Sequence, residues 1–171
     1  PEVCFLCWLL VFFLGSFSAA QAQLGQAYTL QTLLPYLKQG FVTRAMWQGQ
    51  SVQMTDPHLY YYDPVKQTEW GVVEWTLRGG TVESFVLKWD KTAPTYLRQQ
   101  TLLTVLAQQA DKKLSIAQLQ RLMANDCQGE WSLGPQLFFT FLSTEQDFFF
   151  KFSRYSEKIQ THHRAKPCSL P

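Results

Sequence analysis

EWGVVEWTLRGGTVESFVLKWD, residues 69–90, is the stretch that decides the fold class. Two runs rich in Val, Trp, Phe and Leu flank Gly79-Gly80, the composition and punctuation of a β-hairpin. Successive side chains point to opposite faces of a strand and directly paired residues share a face, so loop length fixes which residues meet. A two-residue Gly79-Gly80 loop would set Val73, Trp75 and Leu77 beside Val82, Ser84 and Val86. A three-residue loop, Arg78-Gly79-Gly80 with Gly80 left-handed at a bulge, pairs odd residues with odd ones. It gathers Val73, Trp75, Leu77, Phe85, Leu87 and Trp89 on one apolar face and sends Glu74, Thr76, Ser84 and Lys88 to the other. The second register is the expected one. Its polar face still carries Trp70, Val72, Val82 and Val86, so a helix, a ligand or a partner is expected to cover that side.

Outward from the hairpin, residues 41–54 show alternation at Thr43, Ala45 and Trp47 and then at Val52 and Met54. HLYYY, residues 58–62, follows Asp56-Pro57 as a further strand, and Asp63-Pro64-Val65-Lys66 reads as a β-turn feeding the hairpin. The region from 41 to 90 is therefore expected to be an antiparallel meander of about four strands. Within the tyrosine run, alternation sends Tyr61 to one face and Tyr60 and Tyr62 to the other. One or other set is expected to be accessible.

Helical periodicity appears on both sides of this meander. Leu30, Leu33, Leu34 and Leu37 recur at helical spacing before Gly40, with Pro35 predicting a short or kinked helix. After Thr92-Ala93-Pro94, residues 96–110 read as a helix carrying Leu102, Leu103 and Leu106. Ser115-Ile-Ala-Gln118 is a capping box opening a second helix over residues 116–124. Gly129 to Pro135 reads as a loop containing Trp131. A final hairpin, residues 137–142 and 148–155, holds seven phenylalanines, most of them expected to be buried. The fold class that follows is α+β: an N-terminal helix, then an antiparallel sheet of about six strands with two helices packed on one face.

One targeting signal is expected ahead of this domain. VCFLCWLLVFFL, residues 3–14, has the length of a signal-peptide apolar core and is short for a membrane span, and Ala20-Gln21-Ala22 has a small-x-small cleavage pattern. Cleavage after Ala22 is expected, which gives a signal peptide at 1–22, one domain at 23–155 and a basic, flexible tail at 156–171. The chain is thus expected to be secreted or periplasmic, with no stable membrane span after cleavage. Cys4 and Cys7 fall inside the targeting segment, and the remaining pair, Cys127 and Cys168, is expected to form a disulfide in an oxidising compartment.

Chemistry is sparse. The 171 residues carry a formal charge of +2 with no basic stripe, which argues against a nucleic-acid partner. Three histidines are present, and His162-His163 with Cys168 lacks the spacing of a structural zinc site. No metal site, cofactor or catalytic set is expected. His58, between Asp56 and Asp63, is the one candidate general base. Aromatic residues, 15% of the chain, are the remaining handle, since Tyr and Trp are enriched where surfaces recognise partners. The leading expectation is a non-enzymatic exported binding or accessory protein. It would meet a protein partner through Trp70, Val72, Val82, Val86 and the strand Tyr60, Tyr61 and Tyr62. The alternatives are a carrier of a small apolar or lipid-like ligand between sheet and helices, and a hydrolase using His58.

Overall fold

The computed structural model describes residues 23–106, 114–156 and 166–169. The expected signal peptide, the last turn of the helix expected to reach residue 110, and His162-His163 lie outside the described residues. The chain runs α1 (Leu30–Leu37), α2 (Arg44–Trp47), β1 (His58–Tyr62), β2 (Glu69–Arg78), β3 (Thr81–Asp90), α3 (Thr95–Leu106), α4 (Ile116–Met123), β4 (Cys127–Gly134), β5 (Leu137–Ser143), β6 (Asp147–Ser153) and β7 (Lys166–Pro167). It is an α+β fold with one seven-stranded sheet in the order β1-β2-β3-β6-β5-β4-β7. All neighbours are antiparallel except β4 and β7. Two meanders, β1–β3 and β4–β6, meet where β3 pairs with β6, and α3 and α4 lie in the connection between them.

The hairpin register is the expected odd-with-odd pairing over most of its length: Val73 faces Leu87 and Trp75 faces Phe85. The device that produces it differs. Gly79 and Gly80 both have positive φ, 58° and 78°, and form a two-residue turn whose twist suits a tight hairpin. A β-bulge then shifts the ladder between Thr76 and Leu77, where Leu77 pairs with Val82 but Thr76 with Ser84. Glu83 is the extra residue, so Val82 and Phe85, three apart, both point to the core. Val82 is fully buried there rather than on the second face.

Trp75, Trp89, Phe85, Phe139, Phe141, Phe150 and Phe152 give the sheet's inner face an aromatic floor, each at most 2% exposed. Leu33 and Tyr36 of α1, Leu97 and Leu102 of α3, and Leu119 and Leu122 of α4 pack onto the same core. Gly71 permits a close approach in the core: a Cβ there would lie 2.9 Å from the Trp89 ring. Five of the seven expected hairpin phenylalanines are buried, while Phe138 and Phe149 are half-buried on the other face.

Two local expectations are corrected. Residues 44–47 form a helical turn instead of a strand, because the Thr43 hydroxyl accepts from the Met46 N–H at 3.1 Å and Gly49, at φ 82°, lets the chain leave it. Val42 alone keeps strand character, in an isolated bridge to Tyr60. Residues 127–134 are strand β4, not a loop, since pairing with β5 outweighs their Gly- and Ser-rich composition. The expected Cys127–Cys168 disulfide is formed, and Lys166–Pro167 adds a parallel edge strand β7 beside it, so this part of the tail is tied to the sheet. The capping box at Ser115 is present as read, with Gln118 N–H donating to its hydroxyl at 3.2 Å and Ser115 N–H to Gln118 Oε1 at 2.8 Å.

Candidate functional site on the open sheet face

The face of the sheet opposite α1, α3 and α4 carries His58, Tyr60 and Tyr62 of β1, Val72 and Glu74 of β2, and Val86 and Lys88 of β3 as neighbours. Alternation along β1 places its three rings in a row. His58 and Tyr60 lie 6.1 Å apart at 11°, and Tyr60 and Tyr62 5.9 Å apart at 30°. The bridge between Val42 and Tyr60, two backbone bonds of 2.8 Å, brings α2 against the edge of β1. Trp47 of α2 then stacks on Tyr62 at 4.4 Å, completing a run of four rings, and remains 45% exposed. Arg44 of the same helix sits 4.8 Å over Tyr60 and reaches Glu69 at 3.4 Å.

Polar groups flank the row. His58 Nδ1 is 2.7 Å from Asp56 Oδ1 and its Nε2 is 3.5 Å from Glu74 Oε2, so a carboxylate lies on each side of the imidazole. Burial raises the Tyr60 hydroxyl above the usual tyrosine range, with Arg44 opposing, and burial likewise raises Tyr62. Both phenols are therefore neutral hydrogen-bonding groups at physiological pH. The Tyr60 hydroxyl in turn holds Arg44 firmly protonated. Within the row Tyr60 is buried, His58 and Tyr62 are half-buried, and Trp47 is exposed where the row ends.

The sequence-selected surface divides. Val72, Val86, Tyr60 and Tyr62 share the open face, with Tyr60 itself largely covered. Tyr61 pairs with Gly71 and turns to the helix side, packing on Phe41 and Trp89. Trp70 is corrected to that same side: a bulge at Tyr61/Tyr62 leaves it as the extra residue, and its ring stacks on Tyr61 at 6.5 Å. Val82 is in the core for the reason given above. Trp47 and Arg44 belong to the site but were hidden by the strand reading of residues 41–54, and Glu69 joins the site through Arg44. The signals that would have revealed them are Thr43 three residues before Met46 and Gly49 as a helix stop.

His58 meets its two carboxylates with no serine, threonine or cysteine hydroxyl or thiol bonded to it among the described residues. No group of three or more His, Cys, Asp or Glu among those residues is placed to hold a metal ion. Between sheet and helices the space is taken by Tyr36, Phe41, Trp75, Trp89 and Phe150. No described helix is long and apolar enough to cross a membrane.

Comparison with protein families, curated proteins and solved structures finds no match. The geometry of the site is therefore the basis for the functional reading.

Proposed function

We propose that this chain is an exported, non-enzymatic binding or accessory module that recognises a protein partner through the aromatic row of its open sheet face. The observation that carries the reading is the run Trp47, Tyr62, Tyr60 and His58, four stacked rings along the first strand of the sheet with Val72 beside them. Tyr and Trp combine apolar area with a polar edge and are over-represented among residues that dominate binding energy. Asp56, Glu69 and Glu74 flank the row, and the one guanidinium there, Arg44, already rests on a tyrosine. A partner segment bearing Lys or Arg is complementary to that combination. The Cys127–Cys168 disulfide supports an oxidising compartment, secreted or periplasmic.

Among the described residues, the buried rings of Tyr36, Phe41, Trp75, Trp89 and Phe150 occupy the space beneath the sheet, which supports surface recognition over a carrier of small apolar ligands. The test uses the purified protein as bait in the extracellular or envelope fraction of its host, beside Trp47→Ala and Tyr62→Ser variants. Loss of one specific captured protein in both variants, with the circular dichroism spectrum unchanged, is the expected result. Capture at wild-type strength by both variants overturns the assignment to this row.

A further inference from the structure

The disulfide at the far edge of the sheet lines a cleft. Cys127 opens β4 and is 4% exposed, whereas Cys168, just beyond β7, is only partly buried. Together they border a cleft of about 340 Å³ that is also lined by Arg121 of α4, Lys166 of β7 and Asp126. A bond in such a place differs from one sealed in a core, because thiol–disulfide exchange needs a thiolate to reach one sulfur. Cys168 is the reachable sulfur and Cys127 the leaving one.

Charge in the cleft favours the reaction. Arg121 and Lys166 are exposed and form no ion pair with any described residue. Cations near a thiol stabilise its thiolate and attract anionic thiols. Asp126, the carboxylate in the lining, is already engaged by Lys91 at 3.1 Å and by the Ser143 hydroxyl at 3.1 Å. Among the described residues β7 is held by a short ladder: its parallel pairing covers Cys127 with Lys166 and Gln128 with Pro167, Pro167 has no N–H to give, and Cys168 N–H donates to Gln128 O at 2.9 Å.

We propose that Cys168 is a site of reversible thiol exchange with small anionic peptide thiols of the glutathione class. The incoming thiolate attacks Cys168 Sγ, the bond to Cys127 Sγ breaks, and Cys127 leaves as a thiolate that takes a proton from solvent. The product is a mixed disulfide on Cys168, a free thiol on Cys127 and a β7 strand released from the edge of β4. A second thiol attacking the mixed disulfide, or Cys127 returning to Cys168 with expulsion of the small thiol, completes or reverses the exchange.

The experiment takes the folded, oxidised protein, adds reduced glutathione at neutral pH, quenches early time points with iodoacetamide and maps the peptides by mass. A glutathionyl group on Cys168 and a carbamidomethyl group on Cys127, formed without denaturant and with the circular dichroism spectrum retained, are expected. An Arg121→Gln, Lys166→Gln double variant is expected to react about three- to tenfold more slowly. Reaction only once denaturant is present, the glutathionyl group on Cys127, or an unchanged rate in the double variant would each overturn the proposal.

Discussion

The indole N–H of Trp75 donates to the side-chain carbonyl of Gln23 at 3.0 Å, deep beneath the sheet, while the amide nitrogen of Gln23 donates to the carbonyl of Thr32 at 3.0 Å. One glutamine thus closes the polar end of a fully buried tryptophan and ties the start of the domain to α1. Replacing Gln23 by Leu leaves the Trp75 N–H buried without an acceptor, which costs about 1–3 kcal/mol. Urea unfolding of Gln23→Leu, Trp75→Phe and the double variant measures this. The double variant is expected to be more stable than the two single losses summed, because Phe has no donor to strand.

Gly71 and Trp89 face each other across β2 and β3, and the indole lies where a Cβ on residue 71 would be. Trp89 is fully buried and has no room to swing away. Gly71→Ala is therefore expected to destabilise the fold by about 1–3 kcal/mol through overpacking. Trp89→Leu should relieve much of that specific penalty. A shift in the urea midpoint for Gly71→Ala that is no smaller in the Trp89→Leu background would contradict the steric account.

Tyrosine ionisation makes the fold sensitive to alkali. Burial, reinforced by the nearby Asp56 charge, pushes the Tyr28 hydroxyl up to about 12, and burial also raises Tyr36. Below the ordinary tyrosine value of about 10, folded and unfolded chains hold the same protons and the full stability is present. As pH rises from about 10 towards 12 the unfolded chain releases protons that the folded chain keeps, so stability falls across that window. Urea midpoints measured through this range should decline, with tyrosinate absorbance rising as the protein unfolds. Tyr28→Phe should flatten the decline, and an identical slope in that variant would remove Tyr28 from the explanation.

What could be read from the sequence follows the range over which each signal acts. The hairpin at 69–90 was legible because period-two alternation and Gly79-Gly80 are local, and the helix opened by Ser115 was legible because its capping bonds span only three residues. The bulges at Glu83 and Trp70 were not, since an extra residue there has meaning only against a partner strand. Those single-residue slips account for the displaced pair: each reverses which face its residue meets, carrying Val82 into the core and Trp70 to the helix side. Strand β4 was hidden by Gly129 and Gly134, residues that composition assigns to loops but that long-range pairing holds extended. Gly129 has its own reason, since a Cβ there would lie 2.6 Å from the Trp131 ring. Half of the open-face site was found through the alternation in HLYYY; the other half, Trp47 and Arg44, depends on a four-residue helix announced only by Thr43 at its start and Gly49 at its end.

The bond between Cys127 and Cys168 spans 41 residues and encloses the whole of β4, β5 and β6. An oxidised chain that unfolds is therefore a lasso: its second meander is a closed ring while its first is a free end. Ring closure removes entropy from the unfolded β4–β6 segment alone, by about 4 kcal/mol at this loop length. Assembly is thereby biased in time as well as in free energy. The phenylalanine hairpin is confined before folding starts, and the seam where β6 finds β3, with Ser84 opposite Ser153, remains the long-range encounter that the ring does not shorten.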